Sequence, residues 1–339
     1  MEACNAKDDD SRIDLKGHFE KNKVIIPKVS GDSWFIGDDT EFKLKEKIES
    51  IGTPLKDWDV TINYGIKTGH NDAFIIDTEK RNEILNNCAT EEERERTEKI
   101  IKPILRGRDI KRYEYNWADI WIIGTFPALN LNIKDYPAIE KYFLDNFDKR
   151  KLEQTGKNYG SFKARKFTHN DWFETQDQIG YYQDFEKEKI VYAEISNGSF
   201  CYDNSNYFIA NTGYIINGEN VKYLCALLNS SFITFIYKRY YSVSLGESSR
   251  WLYQDIIKLP IPQITDNNRQ IANDIEDLVD KIIESKKKLR EMSKNALASP
   301  DDIKQQEKTI SVLDKLINNK VYSLYSLTPD EISLIESSI

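Results

Sequence analysis

The feature that most constrains this chain is a pair of prolines in Leu259-Pro-Ile-Pro262, followed by two long stretches with helical periodicity. Proline fixes φ and lacks a backbone donor, so neither a helix nor a central strand is expected to run through this segment. Beyond it lie two apolar stripes at three- and four-residue spacing: Ile271, Ile275, Leu278, Val279, Ile282 and Ile283, then Ile310, Leu313, Leu316, Ile317 and Val321. This spacing predicts two helices that pack as an antiparallel hairpin within residues 263–339.

Helix-start signals support this division. Ser299-Pro-Asp-Asp302 combines an N-cap residue, a proline at the first helical position and first-turn acids. Thr328-Pro-Asp-Glu331 has the spacing of a capping box and predicts a final short helix. The helical hairpin needs partners for its apolar stripes, so we expect a docking role for residues 263–339.

Residues 31–262 mix short strands with helices. Strands are expected at Trp58–Ile62, Ala73–Ile76, Ile120–Gly124, Lys189–Ala193, Ser199–Tyr202 and Gly213–Ile216. Helices are expected over Trp34–Ile51, Glu91–Ile100 and Tyr136–Phe147, and after Asn220. Regular βαβ alternation is not visible, so the sequence predicts an α+β domain with a mixed sheet. Residues 1–30 are polar and are expected to form a tail or connector.

Charge is distributed unevenly along the chain. The net charge is −8, but residues 99–170 contain 15 Lys and Arg against 8 Asp and Glu. A basic face on an otherwise acidic protein is typical of nucleic-acid binders that also contact protein partners. Charged residues make up 31% and hydrophobic residues 40%, a globular balance. No apolar run approaches the roughly 20 residues that span a bilayer, so we expect a cytoplasmic protein without membrane contacts.

Most sequence signatures of catalysis are absent. The chain has no dinucleotide-binding glycine fingerprint, phosphate loop or nucleophile elbow, and no Asn/Asp-Pro-Pro-Tyr/Phe run of amino-methyltransferases. Its four cysteines form no CxxC pair, so we expect neither a disulfide framework nor a zinc site. Two acid-and-lysine patterns resemble Mg²⁺ nuclease sites: Asp32 with Glu41 and Lys43, and Asp184 with Glu186 and Lys189. Such patterns also arise by chance in a chain rich in Glu and Lys.

Two motifs have the composition of phosphate-binding segments. In the Gly-rich turn Tyr64–Asn71, Lys67, Thr68 and Asn71 offer groups for phosphates, although an ordinary hairpin turn has the same composition. The second motif is a basic cluster made of Arg106, Arg108, Lys111 and Arg112. Its Asp109 is expected either to hold Arg108 for phosphate or guanine contacts or to form a surface ion pair.

Two further segments have the composition of base-reading elements. Residues 149–170 alternate basic and aromatic residues without regular periodicity and are predicted to form a flexible basic loop. Residues 237–251 form a second such region. Lys163, Arg165, Asn170 and Arg250 are the candidates for base contacts, because Arg, Lys and Asn form paired hydrogen bonds with base edges.

The order of these motifs resembles a known family, the TaqI-like C-terminal specificity domain of type II (IIG-type) restriction–modification enzymes. The resemblance rests on Trp58–Asp77, Ile101–Tyr113, Asp135–Ile139, Lys189–Ile195, Tyr223–Ser231, Leu259–Pro262 and Tyr322–Thr328. It implies a target-recognition domain over residues 31–262 followed by a helical hairpin, similar to half of a type I specificity subunit.

The resemblance also implies a function and partners. We expect sequence-specific binding of double-stranded DNA beside a methyltransferase or nuclease domain or subunit, with no activity from this chain alone. The parent class would be adenine-specific DNA methyltransferases or type II site-specific deoxyribonucleases. S-adenosylmethionine and Mg²⁺ are expected only for those catalytic parts, which makes this chain a fragment, a split subunit or a truncated gene product. A divergent Mg²⁺ nuclease and a helical protein-interaction module remain the alternatives.

Overall fold

A computed structural model describes residues 2–3, 15–25, 39–241, 244–245, 248–295 and 297–338. Its strands are β1 Glu2–Ala3, β2 Val24–Ile25, β3 Thr53–Pro54, β4 Val60–Tyr64, β5 Ile75–Asp77, β6 Ile101–Leu105, β7 Ile110–Lys111, β8 Glu114–Tyr115, β9 Ile120–Ile123, β10 Lys189–Ala193, β11 Ile195–Ser196, β12 Phe200–Asp203, β13 Phe208–Ile209, β14 Gly213–Gly218, β15 Ser244–Leu245, β16 Ser248–Arg250 and β17 Pro260–Ile261.

The helices are interspersed with these strands without regular alternation, and the last three follow one another. They are α1 Leu15–Asn22, α2 Asp39–Ile51, α3 Asn71–Phe74, α4 Thr78–Asn86, α5 Glu91–Ile100, α6 Pro137–Asn146, α7 Lys149–Leu152, α8 Val221–Asn229, α9 Ser231–Ile236, α10 Tyr253–Ile256, α11 Arg269–Lys294, α12 Pro300–Leu324 and α13 Pro329–Ser337. A π-helical turn, Tyr237–Tyr241, follows α9. The predicted α+β class is confirmed.

The main sheet is antiparallel and has the strand order β12-β10-β14-β4. Because side chains alternate between the faces of a strand, its residues divide between two cores. In β10, Ile190 and Tyr192 join the core that also contains α8 and α9, whereas Val191 joins the core against the second sheet. The sheet is therefore buried on both faces, which explains why Lys189–Ala193 is a continuous buried run.

The second sheet has the order β13-β6-β9-β5 and pairs β13 with β6 in parallel. One face of β9 contributes Ile122 to the core between the sheets, and the other contributes Ile123 to a third core with α6. One predicted strand differs here. Ala73 and Phe74 belong to α3, which buries both residues, and the strand begins at Ile75.

The C-terminal helices form the predicted antiparallel hairpin. Lys320 on α12 pairs with Asp274 near the start of α11, and Gln306 donates to the carbonyl of Ser285 further along. The predicted caps are also present, since the Ser299 hydroxyl accepts from the amide of Asp301 and Thr328 forms a capping box.

The hairpin shares a core with the rest of the chain. Ile275 and Val279 of α11 and Ile317 of α12 lie in the same cluster as Leu224 of α8. The double-proline segment is extended, as predicted, and its Pro260 pairs with Pro54 of β3. Apolar packing therefore continues across residue 262, where the sequence predicts the end of the recognition domain. No helix in the described part of the chain is long and apolar enough to span a membrane.

Candidate nucleic-acid interface

One end of the main sheet brings together segments that are far apart in the sequence. The register places Tyr64 at the end of β4 opposite Tyr214, and Ala193 at the end of β10 opposite Gly213. The turn that follows β4 stays at this end, because the Ile66 amide donates to the carbonyl of Ile209 over 2.7 Å. The loops before β14 and after β4 and β10 therefore lie side by side.

The glycines of the turn after β4 have structural reasons. A Cβ on Gly65 would lie 2.0 Å from the carbonyl oxygen of Ala210, so only glycine allows this backbone contact. Gly69 has φ +78°, a conformation that L side chains rarely adopt. Close approach to a polyanion is therefore not needed to explain either glycine.

The basic turn at residues 106–109 reaches the same end of the sheet. The Gly107 amide donates to the Thr212 hydroxyl over 2.9 Å. Asp109 is buried and binds the Arg106 guanidinium through both oxygens at 2.9 Å. This corrects the prediction that Asp109 holds Arg108, whose side chain is exposed. The hydrogen bonds and ion pair with Asp109 raise the pKa of Arg106, so this guanidinium stays charged. The same bonds hold it against Asp109.

Arg250 lies at this end as well, held by a residue that the sequence prediction missed. Its backbone pairs with Ile195, and its Nε donates to Glu194 over 2.6 Å. The Arg250 side chain nevertheless remains about half exposed. Glu194 directly follows a buried strand and has no motif of its own, so only the strand pairing identifies it as a positioning residue.

Arg165 is a correction to the predicted base-reading set. Its side chain is only 4% exposed, and its guanidinium lies over the ring of Phe74 at 5.1 Å. It donates to four backbone carbonyls at 2.7–2.8 Å, those of Thr68, Leu152, Trp172 and Glu174. Burial lowers its pKa to about 10, so it stays cationic at neutral pH. Arg165 therefore anchors residues 149–170 to the turn after β4 and is not available to bases.

Three other candidates are also engaged within the fold. The Thr68 hydroxyl is buried and donates to Asn71 Oδ1 over 2.7 Å. Asn170 Nδ2 donates to the carbonyls of Thr175 and Gln176, and its Oδ1 accepts from Gln178. Arg112 donates to the carbonyl of Asn229 and to Asp314 of α12. Thr68 and Asn170 are therefore structural residues, because their hydrogen-bonding groups are used internally. Arg112 also has a structural role, because its Nη2 joins the end of α8 to α12.

The predicted flexible loop contains a short β-hairpin. Ala164 and Lys157 are joined by a 2.9 Å backbone bond, as are Tyr159 and Phe162. Its tip is formed by Gly160, where φ is +85° and a Cβ would meet no atom within 4 Å, and by the exposed Ser161. We call residues 157–164 the basic hairpin. Arg165, directly after it, fixes its base.

Cations and aromatic rings surround the basic hairpin. The rings of Tyr159 and Phe162 stack with centroids 5.0 Å apart, and Arg150 of α7 lies 5.4 Å from each. Exposed lysines occur on the hairpin, beside it and on α7: Lys149, Lys151, Lys157, Lys163 and Lys166. None of these five has a carboxylate within 4 Å among the residues that the structure describes. The Phe167 ring beside them is 61% exposed.

Four predicted contact residues besides Arg108 and Arg250 remain accessible. Lys67 and Asn71 are exposed in the turn after β4, Lys111 is exposed on β7, and Lys163 is exposed on the basic hairpin. The hydrogen bond from Thr68 fixes the Asn71 amide. Their assignment to phosphates or bases stays a prediction.

The first nuclease pattern is not assembled. Asp32 lies outside the described residues. Glu41 binds Arg239 through both oxygens, at 2.5 and 2.8 Å, and Lys43 pairs with Asp39. Glu41 and Lys43 therefore have separate partners.

The second pattern is also divided. Lys189 is fully buried against Asp203, while Asp184 pairs with Lys187 and Glu186 with Lys102. Within the described ranges there is no group of three His, Cys, Asp or Glu side chains placed to hold a metal ion.

Comparison with known proteins identifies part of the chain. Residues 102–261 match the family described as the TaqI-like C-terminal specificity domain. This range includes the second sheet from β6, the basic hairpin, β10, β14 and Arg250. A search of curated proteins found no match. Residues 102–261, a little under half of the chain, are therefore similar to a TaqI-like C-terminal specificity domain, which is the family that the order of the motifs indicates.

Two solved structures are similar to this chain. One is the type IIL restriction–modification enzyme MmeI in complex with DNA, with 16% identity and a TM-score of 0.51 over 83% of this chain and 35% of MmeI. The other is the type IIG restriction endonuclease BpuSI, with 12% identity and a TM-score of 0.45 over 84% of this chain and 33% of BpuSI. The matched part of this chain spans about a third of the length of each enzyme. At 16% identity, the similarity to MmeI shows a shared fold.

Proposed function

We propose that this chain is the sequence-specific DNA recognition module of a restriction–modification system. The observation that carries the proposal is the convergence of the Gly-rich turn, residues 65–71, with two basic segments, residues 106–109 and 149–170, around one end of the main sheet. Exposed Lys and Arg side chains gathered on one surface form an electrostatic footprint for a polyanion. The specificity-domain match and the DNA complex of MmeI support the same reading.

Within this proposal the accessible cations divide into two groups. Lys67, Arg108 and Lys111 contact phosphates, with Asn71 and the Asp109-bound Arg106 beside them. Lys163 and Arg250 contact base edges, because phosphate contacts position a protein whereas base contacts give specificity. Glu194 fixes Arg250 and so reduces the entropy lost when the guanidinium binds a base.

The chemistry is assigned to other parts of the system. We infer that a neighbouring N6-adenine methyltransferase, a nuclease or both act on the site that this module binds. S-adenosylmethionine and Mg²⁺ belong to those parts in this proposal, and a cytoplasmic location follows from the presence of DNA there. The helical hairpin, whose Leu316 and Val312 are about half exposed on α12, is the surface proposed to dock the catalytic part.

The proposal is tested by selecting duplexes from a randomised pool with the purified chain, then measuring affinity for a selected duplex across salt concentrations. A shared sequence motif is expected, and log K should fall linearly with log salt, by roughly 0.9 per phosphate contacted. Binding without an enriched motif, or affinity that does not change with salt, would overturn the proposal. Affinity that does not change with salt is the result expected of a protein-interaction module.

A cleavage assay on the selected duplex separates recognition from nuclease activity. The chain is incubated with the selected duplex and Mg²⁺ and compared with its Glu41→Gln variant. Because Glu41 is held by Arg239, no cleavage is expected from either protein. Mg²⁺-dependent cutting that the variant lacks would assign catalysis to this chain.

A further inference from the structure

We propose that the basic hairpin enters the major groove of the bound duplex and that Lys163 reads a purine there. This inference rests on the proposed function and assigns base discrimination to one element of it. Three observations carry it: the hairpin is anchored, it projects into open space, and its cations are not neutralised by acids.

The anchoring involves both the base and one side of the hairpin. At the base, the Gly156 amide donates to the carbonyl of Arg165 over 2.8 Å, and Arg165 is itself bound to four carbonyls. Gln154, which is buried, accepts from the Thr168 hydroxyl and fixes the chain that leaves the hairpin. At the side, Arg150 covers both stacked rings. A recognition element held in this way loses little conformational entropy on binding.

The tip is free of the rest of the protein. A Cβ on Gly160 would meet no atom within 4 Å, and Ser161 is exposed. Asn158 Oδ1 accepts from the Gly160 amide over 2.9 Å, so the turn is held by its own side chain. A free tip on a fixed base is the shape expected of an element that inserts into a cavity of its partner.

The charge of residues 149–166 and the width of a two-stranded hairpin point to the major groove of DNA. Residues 149–166 contain seven Lys and Arg and a single acid, Glu153. The major groove, about 12 Å wide, admits a two-stranded ribbon, whereas the minor groove, about 6 Å wide, is too narrow. In the major groove, guanine offers N7 and O6 to a lysine, and adenine offers N7. Lys163 lies opposite Asn158 near the tip and is exposed, so it can reach these atoms.

The first test changes the charge of the tip without changing its packing. Ser161→Glu, Ser161→Gln and Ser311→Glu are compared for binding to the duplex selected by the unmodified chain. Ser311 is exposed on α12 and controls for the added charge. A carboxylate inside the groove meets like charge, so Ser161→Glu should weaken binding by at least about tenfold. Ser161→Gln, which adds bulk without charge, should bind more tightly than Ser161→Glu, and Ser311→Glu should stay within about twofold of the unmodified chain.

The second test identifies the groove. Purines of the selected duplex are replaced singly by 7-deazapurines, which lack the major-groove N7, or by inosine for guanine, which lacks the minor-groove amino group. At one position or more, a 7-deazapurine should weaken binding of the unmodified chain and leave the affinity of Lys163→Ala unchanged.

The outcomes distinguish this inference from the proposed function. If Ser161→Glu binds as Ser161→Gln does, or if both proteins respond equally to every 7-deazapurine, the hairpin assignment is wrong while salt-sensitive, selective binding remains. If sensitivity is confined to inosine, the groove assignment is wrong. If the chain selects no duplex, both proposals fail.

Discussion

The two basic segments within residues 102–261 use their charge differently. In residues 106–114, Arg106 is bound by Asp109 and Arg112 by Asp314, which leaves Arg108 and Lys111 exposed. In residues 149–166, Arg165 is buried and Arg150 is bound by Asp148, while five lysines remain exposed without an acid partner within 4 Å in the described chain. The first segment holds parts of the protein together, and the second keeps most of its charge on the surface.

Local charge density therefore does not measure how many cations are available for recognition. A cation that uses most of its donors for a carboxylate or for several carbonyls has few hydrogen bonds left for a nucleic acid. A lysine whose neighbours are aromatic rings and solvent keeps its donors and its charge available for a polyanion, whose condensed counterions are released on binding. Substituting a cation of the first kind should therefore lower stability, and substituting one of the second kind should weaken binding.

The largest expected effect is that of Arg165→Ala on stability. The substitution removes four hydrogen bonds made by a buried guanidinium. The carbonyls of Thr68 and Glu174 keep a second donor, from Gln176 and Gln154, whereas those of Leu152 and Trp172 lose their donor. The free energy of unfolding should fall by about 4 kcal/mol, measured by urea denaturation. Hydrogen exchange in residues 152–176 should rise in the same variant.

Two controls make this prediction specific. Arg165→Lys should recover only part of the loss, because one ammonium cannot replace the planar fork of donors. Lys166→Ala changes the adjacent exposed cation and should leave stability unchanged. A loss below about 1 kcal/mol for Arg165→Ala would mean that the anchor is not needed for the fold.

The next effect concerns a buried ion pair in the main sheet. Lys189→Met leaves Asp203 buried without its cation, so unfolding should cost about 3 kcal/mol less. The double variant Lys189→Met, Asp203→Leu should recover most of this loss, because the unpaired charge is gone. If the double variant is as unstable as Lys189→Met in the same urea measurement, the buried charge is not the cause.

A smaller effect is expected when the exposed charge of the second segment is removed. The variant Lys157→Ala, Lys163→Ala, Lys166→Ala should keep its stability and bind the selected duplex about 10- to 100-fold more weakly, with a salt slope lower by about 2 to 3. The matched control replaces three exposed lysines of α12, Lys304, Lys308 and Lys315, with alanine. Equal losses in both triple variants would show that only net charge matters.

The smallest effects are expected for two arginines of residues 106–114, Arg112 and Arg108. Arg112→Ala should lower the free energy of unfolding by about 1 kcal/mol and leave DNA affinity unchanged, because Arg112 binds α12. Arg108→Ala should leave stability unchanged and reduce the salt slope by about 1. If Arg112→Ala weakened DNA binding and Arg108→Ala lowered stability, the roles given to these two residues would be reversed.

Much of the fold follows from local patterns. The capping box at Thr328, the proline-led start of α12 after Ser299 and the stripes of the helical hairpin are short-range signals, and the structure confirms them. β10 is read correctly because its apolar run is continuous. The stretch at Ala73 and Phe74 is misread as a strand because a short apolar run fits a buried helix equally well.

The candidate site is predicted less completely than the fold. The sequence places basic and aromatic residues in 149–170, but it describes a flexible loop where the structure has an anchored hairpin. Gly156 and Gly160, both at positive φ, are the only local sign of its turns. The partners that fix it, Thr68 and Trp172, lie outside the segment and have no pattern that links them to Arg165.

By itself the sequence determined the caps and apolar stripes of the helical hairpin, the buried run of β10 and the resemblance to a specificity-domain family, because periodicity, caps and motif order are written in neighbouring residues. Only the tertiary structure decided that Arg165 is buried while Lys163 and Lys166 on either side of it are exposed. The three positions are equally basic, and the choice depends on carbonyls contributed by distant parts of the chain. Burial of a charge is decided by which partners the fold brings within hydrogen-bonding distance, and a linear sequence does not contain that distance.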